Sequence, residues 1–348
     1  MMQTLFRLIA RRIIRNPPAP LRVFALCLAV LCYGASGFLY FELSENPALS
    51  WEDAVWYAVV TVTTVGYGDF YPVTPLGRFL VAVPLMFFGI GLLGYVLSLA
   101  ASALVQARTK ELNGMGSYKH KDHLVIFNFP SLAKVQRVLE ELGNDPTFGK
   151  RDVVLIDDEL AEIPGELLAS GVDYVRGNPS RDETLTRANV DDAAYAIVLS
   201  KRPGDPRSDD QSVAITLAIE ARSSRVHTVV ECVDYSTEEL LRKAGCDAIV
   251  CTSRFDAHFL SHELLNPGVQ EVVHELTSNL RGQQIYVTPY SGKSKNMGEV
   301  AKNCERQGHM LIGVRRAGTT ELNIEASKKI ESGSATITIG PKRLERLE

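Results

Sequence analysis

Charge is scarce where this chain begins. Residues 1–107 carry eleven charged side chains, six arginines and five acids, and no lysine, although the chain is 22% charged over its 348 residues. This asymmetry excludes a uniformly water-soluble protein and implies lipid around the first third and water around the rest. A hydrophobic content of 46% excludes a disordered chain. Cysteine is sparse too: the six are scattered with no Cys-x-x-Cys spacing, which excludes a disulfide-stapled miniature fold. Basic residues are in no excess, 37 Lys and Arg against 41 Asp and Glu, so nothing points to nucleic acid as a partner. No Ser/His/Asp or Cys/His signature is visible. His258 and His262, four apart beside Glu263, lack the residue order or thiol partner of a metal site.

Two long runs have no charge at all, residues 23–41 and 79–107. A helix needs ~20 apolar residues to cross ~30 Å of hydrocarbon, so both are long enough to span a bilayer, and the second should project beyond it. The first lacks the short apolar core and small-residue cleavage site of a signal peptide. Arg7, Arg11, Arg12, Arg15 and Arg22 precede it, whereas residues 42–77 hold Glu42, Glu45, Glu52, Asp53 and Asp69 but no basic residue. By the positive-inside rule, both termini are cytosolic in an inner or plasma membrane and the connection lies outside. Residues 2–15 mix Leu5, Phe6, Leu8, Ile9 and Ile13 with arginines, as an interfacial helix or a simple basic anchor would.

The outer connection is more than a turn. Ser50 is placed to cap a helix over 51–62, with Asp53 completing a capping box. About twelve residues cannot cross a bilayer, and the segment runs straight into Thr63-Thr64-Val65-Gly66-Tyr67-Gly68-Asp69. A short helix followed by an extended segment between two spans describes a re-entrant loop, tolerated at membrane depth only where it is buried in protein or lines a water-filled path.

Thr64-Val65-Gly66-Tyr67-Gly68 resembles the potassium-channel selectivity filter. The resemblance implies four subunits whose Thr64, Val65, Gly66 and Tyr67 carbonyls replace the hydration shell of K+. Turning successive carbonyls to one side demands positive φ, which Gly66 and Gly68 supply. Trp56 and Tyr57 are expected to pack behind the filter, with Trp56 donating to Asp69. Pro84 removes a backbone donor from the second span. Gly89, Gly91 and Gly94 form either a gating hinge or a helix-packing patch. Leu97, Ala101 and Val105 recur every fourth residue and form either a hydrophobic gate or a packing stripe. Two spans leave no room for a four-helix voltage sensor.

After residue 107 the chain is charged, and 113–117 reads as a linker. Apolar strand patterns at 123–129, 152–156, 173–175, 195–199, 228–232 and 248–251 alternate with helical patterns at 132–142, 159–170, 181–189, 212–222 and 237–244. Strict βα alternation predicts a doubly wound parallel sheet, whose ligands bind at the carboxyl ends of the strands. Gly177-Asn178-Pro179 and Ala244-Gly245-Cys246-Asp247-Ala248 resemble the RCK domain, the regulator of potassium conductance joined to two-span channels.

The resemblance implies a multi-domain fold. It consists of a basic segment (1–20), an α-helical two-span pore-loop domain (21–107) and a linker (108–120), then an α/β Rossmann-like RCK subdomain (121–252), a helix-turn-helix crossover (253–283) and a small α+β C-terminal subdomain (284–348). Within the pore domain the spans are 21–42 and 78–107, the pore helix 50–62 and the filter 64–68. In the family the crossover pairs adjacent domains. A ring of eight RCK domains would need soluble copies, for which Met115 is a candidate internal start.

Where a dinucleotide fold places Gly-x-Gly-x-x-Gly, this chain has Asn128-Phe129-Pro130-Ser131-Leu132-Ala133, and Pro130 has no N–H to offer a phosphate. Asn128 tolerates left-handed angles, Ser131 opens a helix, and Asp157 ends the second strand where an acid bonds ribose hydroxyls. The expected nucleotide site is Asn128, Phe129, Pro130, Ser131, Asp157, Asp158, Gly177, Asn178, Ser200 and Glu231, for NAD or ADP/ATP, with a degenerate crevice as the alternative. Calcium is the family's other effector. The three acids of some relatives correspond here to Asn178, Glu231 and Val233, a poor set for a hard cation. Asp157, Asp158, Asp234 and the 205–210 loop are the other acids that could hold one. The expectation is a ligand-gated, homotetrameric potassium channel, not an enzyme. The rival readings are a membrane-anchored NAD-dependent oxidoreductase and a transporter's regulatory subunit.

Overall fold

The uncharged runs become two long helices in the computed structural model, which describes residues 19–145, 148–149, 151–280, 282–316 and 318–344. The basic segment before residue 19 lies outside the described residues, and the expected interfacial helix with it. Helix α1 (Ala19–Glu42) is followed by the short α2 (Trp51–Val62), then by a π-helical turn (Gly77–Ala82) that continues into α3 (Val83–Leu112). The two stretches apolar enough to cross a membrane, Pro20–Glu42 and Gly77–Leu112, have 23 and 36 residues. At 1.5 Å per residue the second is ~54 Å long, well beyond a ~30 Å hydrocarbon core.

The π-helical turn has a local cause. Pro84 cannot donate to the carbonyl four residues back, that of Leu80. The Tyr33 hydroxyl of α1 donates to that carbonyl instead. A core of Ala35, Phe38, Ala54, Tyr57, Ala58 and Leu85 joins these helices.

The chain divides into two compact units, Met1–Thr109 and Lys110–Glu348. The second begins with β1 (Leu124–Phe127), α4 (Leu132–Gly143), β2 (Val153–Asp157), α5 (Gly165–Ala169), β3 (Val172–Arg176) and α6 (Asp182–Arg187). It continues through β4 (Tyr195–Val198), α7 (Ser208–Arg222), β5 (His227–Cys232), α8 (Glu238–Lys243) and β6 (Ala248–Cys251). The six strands are all parallel, in the order β3-β2-β1-β4-β5-β6. All four residues of β1, Leu124, Val125, Ile126 and Phe127, are buried. They alternate between one apolar cluster containing Val125 and Phe127 and a second containing Leu124 and Ile126. A strand covered on both faces reads as an unbroken apolar run, and each such side chain contributes about 1.5–3 kcal/mol by burial.

One expected helix is much shorter. The pattern over 159–170 gives only α5, because Pro164 disfavours helix in the residue before it and the Asp157 carboxylate draws in the Glu159 and Leu160 amides (2.8 and 2.7 Å).

After β6 come α9 (Thr252–Leu265) and α10 (Val269–Thr277), which leave Phe255, Leu260, Leu264 and Leu265 exposed. The remainder comprises β7 (Gln284–Pro289), β8 (Lys295–Asn296), α11 (Met297–Arg306), β9 (Met310–Arg316), β10 (Thr319–Leu322), β11 (Lys329–Ile330) and β12 (Ala335–Gly340). Its main sheet is antiparallel in the order β10-β9-β12-β7, with Val300 and Cys304 of α11 in its core.

From Leu112 onward, the segment expected as a linker (108–120) is laced to the rest of the second unit. Ile163 donates to the Leu112 carbonyl (3.0 Å) and Arg176 to that of Gly114 (2.9 Å). Arg187 reaches the carbonyls of Gly116 (3.1 Å), Arg176 (2.9 Å) and Gly114. His120 sits between Asp152 (3.1 Å) and Asp173 (2.5 Å). Glycine-rich sequence here marks close backbone approach rather than slack.

Candidate functional sites in the pore loop and the sheet crevice

The pore-loop helix α2 is held at its start by the reciprocal capping box. Ser50 Oγ accepts from the Asp53 amide (3.1 Å), and Asp53 Oδ2 accepts from the Ser50 amide (2.9 Å). At its end the Val65 and Gly66 amides both turn back to the Val60 carbonyl (3.0 and 3.3 Å). The loop then has φ of +58° at Gly66 and +77° at Gly68, a conformation that glycine adopts without strain. Thr64 is also at positive φ, +63°. A β-branched residue is rarely held there, and nothing in its local sequence signals it.

Trp56 Nε1 donates to Asp69 Oδ2 at 2.8 Å, and its ring lies parallel to that of Tyr67 with centroids 5.9 Å apart. Tyr57 does not join them. Successive helical residues point about 100° apart, so Tyr57 turns to α1 and stacks on Phe38 at 4.1 Å.

Sequence reasoning missed Glu42. It is 2% exposed and accepts from the amides of Val73 (2.9 Å) and Thr74 (3.2 Å) and from the Thr74 hydroxyl (2.6 Å). It ties the end of α1 to the strand-less segment after the filter sequence.

In the second unit the order reverses between β1 and β4, so the crevice opens at their carboxyl ends. Asn128, at φ +69°, donates through Nδ2 to the Leu199 carbonyl (2.8 Å) across that point. Ser131 Oγ caps α4 by accepting from the Lys134 amide (3.3 Å). Asp157 accepts from the amides of Phe129 (2.8 Å), Glu159 and Leu160, and Glu231 accepts from the Ser200 amide (3.2 Å) and from Lys134 Nζ (3.1 Å). Gly177 donates to the Asp157 carbonyl (3.0 Å), whereas Asn178 serves its own turn by accepting from Ser180 (2.9 Å). Pro130 contributes no donor. Asp158 meets Lys201 Nζ at 2.7 Å. Most of the expected residues thus converge on one crevice, while Asn178 is engaged in its own turn. Lys134, in the first turn of α4, and Lys201, three residues after the apolar strand β4, were missed, although a lysine so close behind an apolar strand is a visible signal.

Two family models match the chain, an ion-channel model over residues 25–106 and a TrkA-N domain model over residues 135–252. YugO of Bacillus subtilis is 29% identical over 67% of this chain and 68% of its own length. The calcium-gated potassium channel TvoK of Thermoplasma volcanium is 25% identical over 98% of this chain and 97% of its own. This chain belongs to the two-span potassium channels with a C-terminal RCK domain. Potassium channel protein 1 of Methanocaldococcus jannaschii is 26% identical over 85% of this chain and 87% of its own. Among solved structures, the GsuK channel bound to NAD has a TM-score of 0.47 at 19% identity over 94% of this chain, which spans 58% of that chain's length. As a potassium channel the chain is a membrane protein with K+ as its permeant ion, and it is not an enzyme.

On the inner helix of this RCK channel, Gly89 is a packing glycine. A Cβ there would stand 2.9 Å from the Val62 backbone, whereas Gly91 and Gly94 face open space. Leu97, Ala101 and Val105 are exposed on the single chain. Most of the acids considered for calcium are held by other partners. Asp205 pairs with Arg207 (2.9 Å), Asp209 accepts the Val233 and Asp234 amides (2.9 and 2.8 Å), and Asp234 accepts from Ser236 (3.0 Å). Glu263, beside His262, accepts the Gly268 and Gln270 amides. Among the described residues no three His, Cys, Asp or Glu come together as a metal site.

Proposed function

We propose that four copies of this chain surround one potassium pathway, that both termini are cytosolic, and that an adenine nucleotide in the RCK crevice gates conduction. The observation that carries the pore is the Thr64–Gly68 loop, with positive φ at Gly66 and Gly68, at the end of a capped twelve-residue helix between two spans. Main-chain carbonyls there replace the hydration shell of K+, and Gly91 and Gly94 supply the hinge. The crevice supports the gating reading through the reversal between β1 and β4 and through Asp157 at the end of β2.

A ligand shifts the pore only by its difference in affinity for two states of the ring. Planar-bilayer recording of the purified channel, with NAD, ADP and calcium added separately from the cytosolic side, tests this. Nucleotide-dependent open probability and loss of K+ selectivity in Gly66→Asp are expected. A response to calcium alone would replace nucleotide by divalent gating, the activity in TvoK's name. A smaller co-purifying fragment that vanishes in Met115→Leu would mark an eight-domain ring, and its absence a ring of four.

A further inference from the structure

The crevice holds one interaction that a nucleotide has to break. The Asp157 carboxylate is 1% exposed. Its Oδ1 accepts the Glu159 and Leu160 amides, and its Oδ2 accepts the Phe129 amide and Lys201 Nζ (2.7 Å). A carboxylate offers about four acceptor sites, so none is left for a ribose hydroxyl. Three of the four donors are backbone amides in the turns after β1 and β2, and they leave only if those turns unfold. The fourth is a lysine on a flexible stem.

Lys201 follows β4 and reaches Asp157 and Asp158 at the end of β2, so its side chain passes the carboxyl end of β1, which lies between them in the sheet. In sheets of this order the phosphates of a dinucleotide lie against the turn after that strand. Burial pulls the ammonium's pKa down, but the Asp157 and Asp158 hydrogen bonds more than reverse this and leave it above the ordinary lysine value.

We propose that Lys201 is an internal competitor for the ribose-binding carboxylate, and that the phosphate of the incoming nucleotide is what displaces it. The inference rests on the nucleotide reading of this crevice. A ribose hydroxyl takes the lysine's place on Asp157, and the released ammonium pairs with the phosphate. A nucleoside without phosphate strands the ammonium on Asp158 alone, a poor exchange for a buried charge. A mobile cation also supplies charge that the turn lacks, since Pro130 has no N–H to offer a phosphate.

Calorimetric titration of the full-length channel in nanodiscs with ADP and with adenosine tests this for wild type, Lys201→Met and Lys201→Arg. Wild type is expected to prefer ADP. Lys201→Met should bind adenosine more tightly and ADP more weakly, shrinking the ADP-to-adenosine ratio by about 10–100-fold, the value of one charge-assisted hydrogen bond. Lys201→Arg should keep the preference. Should Lys201→Met misfold with Asp157 left unpaired, Lys201→Gln, which keeps an uncharged donor, carries the same expectation. A ratio unchanged in the folded neutral variant overturns the competitor and leaves the nucleotide reading standing. If neither protein binds any nucleotide, that reading falls and the competitor with it.

Discussion

Replacing Arg187 by alanine should loosen the segment that leads from the second span into the RCK domain, and by an amount the structure sets. The guanidinium holds the carbonyls of Gly114, Gly116 and Arg176. Hydrogen bonds from a charged donor are worth about 1.5–3 kcal/mol each where the acceptor would otherwise be orphaned. Here the acceptors fare better. The Gly114 carbonyl keeps the Arg176 amide at 2.9 Å, and the bond to the Arg176 carbonyl is exposed to water. The two part-buried bonds then contribute about 1 kcal/mol each and the exposed one about half that, giving a local loss of about 2–3 kcal/mol. At 1.4 kcal/mol per factor of ten, the Arg176 amide should exchange its hydrogen about 30–150-fold faster. Hydrogen exchange of the full channel, followed by mass spectrometry, reads this directly, with the amides of β1 as an internal control that should not change. Lys at this position keeps the charge but not the three-way fork, and should recover only a fraction of the protection. An Arg176 amide that exchanges within threefold of wild type in the alanine variant would refute the reasoning. The segment would then be held by its backbone bonds alone.

Three further outcomes follow from single contacts. Tyr33→Phe removes the hydroxyl that serves the Leu80 carbonyl, which Pro84 cannot serve, so thermal unfolding of the detergent-solubilised channel should show a loss of about 1–2 kcal/mol, and an unchanged transition would sink the idea. Asp209→Ala leaves the Val233 and Asp234 amides without their buried acceptor and should cost the RCK domain about 2–3 kcal/mol in urea unfolding, more than substitution of the exposed Glu239. His123 and His309 are buried, and burial lowers the pKa of both. The unfolded chain therefore takes up protons near pH 6.5 that the fold refuses, so stability should fall as pH drops through that value. Equal stability at pH 7.5 and 5.5 in the same urea assay would contradict this.

The parts of the channel legible in its sequence are those whose partners lie close along the chain. The partners of the capping box, Ser50 and Asp53, are three positions apart, the spans are continuous runs, and βα alternation repeats every few tens of residues. The contacts that were not legible join residues far apart: Tyr33 with Leu80, Lys201 with Asp157, Arg187 with Gly114, and Ser278 with Glu141, separated by 47, 44, 73 and 137 positions. No local periodicity encodes such pairs. They become predictable only once topology is known, because the order β3-β2-β1-β4 is what brings the lysine after β4 past β1 to the acids after β2. Under the proposed nucleotide gating, these same contacts are the ones a ligand would exchange. A ligand biases a ring only by exchanging interactions that differ between two states, and packed apolar strands such as β1 have little to exchange. A side-chain ion pair on a flexible stem does. The crevice lysine and the arginine that fastens residues 114–116 are therefore where ligand-dependent differences should concentrate, and comparing Lys201→Met with Arg187→Ala separates loss of ligand discrimination from loss of its transmission.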